Sequence, residues 1–192
     1  MAGLIVPLLA GSVLSVPVLG QNIASVDVAV VTGPGAAVYE LFLAPDGWVE
    51  DCRVLQSDYS AENNVRVCGE LVQMQARTPA LGPDGKPIHS TTVVSRQRGG
   101  GEAIRPAEIE VEVAALPGVA GGRKAVGLAV LVDEAGRMRD CQPSSGAADA
   151  FSRVGCDQAK GLRFAAREDR RGRHVPYIAQ ITIDFVVDGT SS

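Results

Sequence analysis

Aromatic residues are scarce, at 4% of 192 residues, so Val, Ala, Leu and Ile must fill any core. Histidine is scarcer: the chain has two, His89 and His174. A Ser-His-Asp or Cys-His nucleophile would have to use one of them. Both stand just past a glycine turn and beside Pro87 and Pro176, where surface-loop histidines are expected. No Cys-x-x-Cys occurs, and gaps of about 15 residues within the cysteine pairs do not match zinc-ligand spacing. A formal net charge of −4 leaves no basic footprint for nucleic acid. Gly99-Gly100-Gly101 lacks the Lys-Ser/Thr ending and following helix of a phosphate-binding loop. No metal or cofactor is expected, and no catalysis. The 46% hydrophobic and 21% charged shares fit a folded chain of one or two domains.

Charge is absent from Met1 to Ser25, and Leu4 to Leu19 is almost wholly apolar, with Pro7 and Pro17 weakening a continuous helix. Residues 1–20 read as a secretory signal peptide cut near Gly20 or as an uncleaved membrane anchor. No Lys or Arg precedes the apolar run. Any membrane contact is expected through this segment alone.

What the chain does have, it has twice. Asp46-Gly47 leads to Asp51-Cys52 and then Cys68; Ala135-Gly136 leads to Asp140-Cys141 and then Cys156. The first glycine precedes its cysteine by five residues in both copies, and the cysteines in each pair are 16 or 15 apart. A second glycine turn follows, at Gly85 and Gly172. Four landmarks in one order point to an internal duplication. Residues 21–97 form the first unit, 98–105 a glycine-rich linker and 106–189 the second. One disulfide per unit, Cys52–Cys68 and Cys141–Cys156, is the reading of the cysteines, with free thiols or a metal site as alternatives. Such bonds persist in an oxidising compartment.

Each unit reads as α+β: an antiparallel sheet with one helix packed across it. Leading strands are expected at Ser25–Val31 and Glu108–Val113. Further strands are expected at Val38–Leu43, Thr91–Ser95, Ala125–Val132 and Ala179–Val187. Asp46-Gly47 marks a hairpin turn, since glycine supplies positive φ. Helices are expected at about Ala61 to Gln75 and Ala147 to Leu162. Val65, Cys68, Leu71 and Val72 form the inward stripe of the first; Phe151, Gly155, Ala159 and Leu162 form that of the second. Ser57 and Ser144-Ser145-Gly146 are expected to start these helices. Glu50, Asp51 and Asp140 are expected to be solvated, as is the turn Arg167–Arg173.

These residues together resemble the C-terminal domain of TonB-type energy transducers. The matching pieces in the first unit are Asp46-Gly47, Asp51-Cys52-Arg53-Val54, Arg77, Pro79-Ala80 and Gly85-Lys86-Pro87. In the second they are Gly136-Arg137, Asp140-Cys141, Ser144-Ser145-Gly146, Arg163-Phe164 and Gly172-Arg173. The resemblance covers most of the chain from about Val38 onward. It implies a cell-envelope protein of a Gram-negative bacterium, placed in the periplasm, or on the periplasmic side of the inner membrane if anchored. It also implies that such a domain takes an extended peptide from an outer-membrane transporter by strand addition. The family's long proline-rich spacer is not matched: residues 21–37 carry one proline, Pro34, and reach roughly 55–60 Å at full extension.

The first expectation is therefore a non-catalytic periplasmic peptide- or protein-binding module of two tandem TonB-C-like repeats. The alternatives are a membrane-anchored transducer and a purely structural envelope protein. Trp48, at a turn tip, and the face of the final strand carrying Ile181, Ile183 and Phe185 are the candidate partner-binding residues. Trp48 can instead pack on its own hairpin. The final strand can pair as an edge with a partner peptide, with the other unit or with a second molecule.

Overall fold

The computed structural model describes residues 35–187, apart from Arg77, 99–108, 117–118, 120–121 and Gly146. The leader, the strand expected at Ser25–Val31 and the glycines of the linker lie outside the described residues. The order of elements in the first half is β1 (Gly35–Leu43), β2 (Val49–Ser57), α1 (Ala61–Leu71), β3 (Ala80–Leu81) and β4 (Pro87–Arg98). The second half has β5 (Ile109–Val113), β6 (Arg123–Val132), β7 (Met138–Pro143), α2 (Ala150–Ala159), β8 (Arg167–Glu168), β9 (His174–Val175) and β10 (Tyr177–Val187). The fold is α+β. Among the described residues, no helix is long and apolar enough to cross a membrane.

The two hairpin turns close in the same way. Ala44 N–H donates to the Trp48 carbonyl at 2.8 Å, and Asp133 N–H donates to the Arg137 carbonyl at 2.9 Å. Gly47 and Gly136 have φ of +86° and +75°, and each lies against the strand-like segment that follows its helix. A Cβ on Gly47 would stand 2.6 Å from the Ala76 carbonyl oxygen, and one on Gly136 2.3 Å from that of Phe164. Positive φ and a backbone wall both demand glycine here. Gly136→Ala is expected to destabilise the fold by about 2–3 kcal/mol, checked by urea denaturation.

Both helices are capped, but not by the serines expected. Ser60 accepts from Asn63 N–H at 3.3 Å. Asp149 accepts from Ser152 N–H at 2.7 Å while the Ser152 hydroxyl accepts from Asp149 N–H at 2.8 Å, a reciprocal capping box. Helix α1 is also turned relative to its expected stripe: Val67 and Leu71 are buried, and Val65 is 74% exposed. The cause is polar. Tyr39 is fully buried and its hydroxyl needs a partner, which Asn64 Oδ1 supplies at 2.8 Å. Bringing Asn64 inward rolls Val65 out.

One sheet runs through both halves, in the order β2-β1-β4-β10-β6-β7, with β3 on β4 and β5 on β10. This corrects the expectation of a separate sheet in each unit. The long final strands β4 and β10 meet in parallel at His89–Ser90 and Tyr177–Ile178. β5 runs parallel to β10 at Ile183–Val187, and every other ladder is antiparallel. Strand alternation puts the helices on opposite faces. Ala37, Tyr39, Leu41 and Leu43 of β1 pack with Val67 and Leu71 of α1. Phe42, pointing the other way, joins Leu128, Tyr177 and Phe185, against which Phe151 of α2 packs.

Each half covers the exposed face of the other with a short arm. Ala80 of β3 packs on Ala129 and Ile178 of the second half. In return, Arg167 and Arg170, in and just beyond β8, reach across to the β1–β2 hairpin.

Candidate functional site

β4 and β10 diverge after their two-residue ladder. Along the second edge of β4 no strand pairs with Thr91–Ser95 among the described residues, and none pairs with the facing edge of β10 from Ala179 to Thr182. Gln180 N–H donates instead to the Thr91 hydroxyl at 3.4 Å, the last link before the strands part. A groove of about 410 Å³ opens there, bounded by Val93 and Ile181 on its apolar walls and by Glu40, Arg53, Gln180 and Thr182 as polar groups. Backbone donors and acceptors of strand edges beside apolar side chains are what an added strand requires.

The groove's charged end belongs to the clamp between the halves. Glu40 binds Arg167 directly and Arg53 at 3.1 Å. Arg167 is nearly buried, lies 5.7 Å from the Phe42 ring and approaches Asp51 at 3.7 Å. Next to it, Arg170 donates to the Val49 carbonyl at 3.1 Å and faces Glu50 at 3.6 Å. The expectation of a wholly solvated turn is thus corrected: Arg171 and Arg173 face water at the tip, but the Asp169 side chain is shielded beneath Arg173, and Arg167 and Arg170 hold the first half. Glu50, expected to be solvated, has its side chain largely shielded between Arg170 and His89.

His89 is also not a loop residue. It lies in β4, stacks on Phe42 at 5.4 Å and faces Glu50 at 3.5 Å. His174 is exposed as expected, 3.6 Å from Glu168. Burial holds the His89 imidazole below its ordinary pKa, with Glu50 opposing that shift. A His whose folded pKa is depressed contributes stability above about pH 6.5 and loses it as pH falls through the folded value. Three aspartates act lower on the scale. Hydrogen bonds hold Asp133, Asp149 and Asp169 at about 2: from the backbone at Arg137 and Ser152 for the first two, and from the Arg173 side chain for the third. Their contribution is complete above about pH 4 and lost between about 4 and 2. The urea midpoint is expected to hold from pH 8 to about 6.5 and then fall in two stages. His89→Gln removes the first stage, and Asp133→Asn with Asp169→Asn shrinks the second.

The cysteines form the two disulfides expected, Cys52–Cys68 and Cys141–Cys156, with Cα–Cα distances of 5.5 and 5.7 Å. Among the described residues no group of three or more His, Cys, Asp or Glu is placed to hold a metal. Trp48 is 39% exposed at its turn, and its backbone bridges to Gln75. The three final-strand residues separate. Ile181 lines the groove, whereas Ile183 and Phe185 are buried in the second half's core. Of the three pairings open to the final strand, the one with the other unit is formed, at Tyr177–Ile178 with β4; β6 lies along the other side of β10, and β5 along its end from Ile183 to Val187. Asp51 is exposed, and Asp140 accepts from Cys141 N–H at 2.8 Å. Ser144 lines the groove rather than capping α2.

No family model, curated protein or solved structure matches this chain. The functional reading therefore rests on the chain's own residues and geometry.

Proposed function

We propose that this chain is a non-catalytic, periplasmic peptide-binding module of two tandem TonB-C-like repeats that takes an extended segment of an envelope protein by strand addition. The observation that carries this is the parting of β4 and β10. Thr91–Ser95 and Ala179–Thr182 run beside an open groove walled by Val93 and Ile181. A peptide seated there would extend the ladder at Ser90 and Ile178, with alternate side chains entering the groove and the others facing away. Glu40 and Arg53 at one end offer both charges to polar side chains of the ligand.

Two further features support the compartment and the repeat. Disulfides are at home outside the cytosol, and the hairpin, helix, short-strand and long-strand order occurs twice with matched turn hydrogen bonds. The N-terminal peptide of a TonB-dependent outer-membrane transporter is the partner of choice. A labelled peptide of that kind is expected to bind with saturating fluorescence anisotropy, and Ile181→Lys, at the partly buried groove wall, to weaken it at least tenfold. Equal binding by the parent and by Ile181→Lys, with both folded, would remove the groove from the reading.

A further inference from the structure

The outermost strands of the sheet are β2 and β7, and each runs beside its own helix with a disulfide between. The two edges differ in how they meet water. Beside β7 the hollow is lined with charge, from Arg139, Asp140, Arg153, Asp157 and Lys160, and the strand ends at Pro143, which has no N–H to offer. Those are the devices that keep an edge from pairing. Beside β2 the hollow, of about 440 Å³, is lined by Cys52, Val54, Ala61, Asn64, Val65 and Cys68, with no charge among them. The Val49 N–H is taken by the Met74 carbonyl at 3.2 Å; from Glu50 to Ser57 β2 carries no proline or lysine. Val54 and Val65 stand 37% and 74% exposed beside it.

We infer that β2 and α1 form a homodimer interface, the β2 edges of two chains pairing antiparallel about a two-fold axis at Cys52. The occupant is read from charge complementarity. With Cys52 opposite its counterpart, Asp51 of each chain faces Arg53 of the other, so two opposite-charge cross-strand pairs form at once. Both residues are more than half exposed in side chain, and Arg53 can keep Glu40 while donating outward. A two-fold perpendicular to the sheet also sets the α1 helices side by side on one face, covering Val54 and Val65 of both chains. The interface is isologous, so it closes at two chains; it leaves the β4 and β10 edges of the groove free and shares with the groove Arg53 at its charged end.

Sedimentation equilibrium of the full chain tests this, at concentrations from 1 to several hundred micromolar. A monomer–dimer equilibrium is expected. Val54→Lys and Val65→Glu are each expected to raise the dissociation constant at least tenfold, with unchanged circular dichroism. Val154→Lys, on the exposed side of α2 in the second half, is expected to leave it unchanged. Val65 is the safer probe, because its side chain contributes little to the monomer's core. A chain that stays monomeric throughout, or a dimer that survives Val65→Glu and dissociates with Val154→Lys, would overturn the inference.

Discussion

Replacing Cys52 and Cys68 by serine is expected to destabilise the fold by about 3 kcal/mol, and removing both disulfides by about 6 kcal/mol. Each bond closes a short loop, with sequence separations of 16 and 15, and on the chain-entropy account a loop of that length is worth about 3 kcal/mol. Small folds have about 5–15 kcal/mol in total, so the fully reduced chain is expected to be largely unfolded at 37 °C. The location adds to the entropy. Cys52 lies on the outer strand and Cys68 on α1, both packed against the core that holds Tyr39 and Leu71. The bond therefore ties the helix to the edge of the sheet. The two losses should add, since the pairs sit in different halves. Urea denaturation of the single-pair and double-pair serine variants checks this; losses below 1 kcal/mol would contradict it.

Arg167→Ala is expected to cost about 2–3 kcal/mol, more than any other single change at the junction. The guanidinium is nearly buried, and Glu40 beside it is only slightly more open. Truncation leaves that carboxylate with Arg53 as its remaining partner, and it removes the cover from Phe42. Losing a hydrogen bond to a charged group costs about 1.5–3 kcal/mol, and stranding a buried charge costs more. The joint replacement Glu40→Met with Arg167→Met should cost less than Arg167→Ala, because no shielded carboxylate is left with fewer partners and the half-exposed Arg53 it releases turns to water. A double-mutant cycle between Glu40 and Arg167 measures the coupling, and additive losses would contradict it.

Much of this was legible in the residues, for reasons that are local. Gly47 and Gly136 announce their turns because no other residue fits positive φ against a backbone wall. The cysteine spacing announces its bonds because a strand followed by a helix returns the chain over about 15 residues. Alternating Val, Leu and Ile mark β6 and β10. The phase of α1 was not legible, since it depends on Asn64 meeting the hydroxyl of Tyr39, 25 positions away. Nor was the place of β10. A strand's own pattern does not say whether its neighbour is water or another strand, and the partners here come from the far half of the chain. Arg167 shows the same limit. Its neighbours in sequence read as a solvated turn, and Glu40, 127 positions away, decides otherwise.

Amide hydrogen exchange, followed residue by residue with and without a transporter-derived peptide, tests the peptide-binding reading most directly. Added strand pairing should slow exchange along Thr91–Ser95 and Ala179–Thr182, the two edges that part beyond Ser90 and Ile178, while β7 exchanges as before. Protection confined to the outer strands, or none at saturating peptide, would contradict strand addition at the groove between the halves.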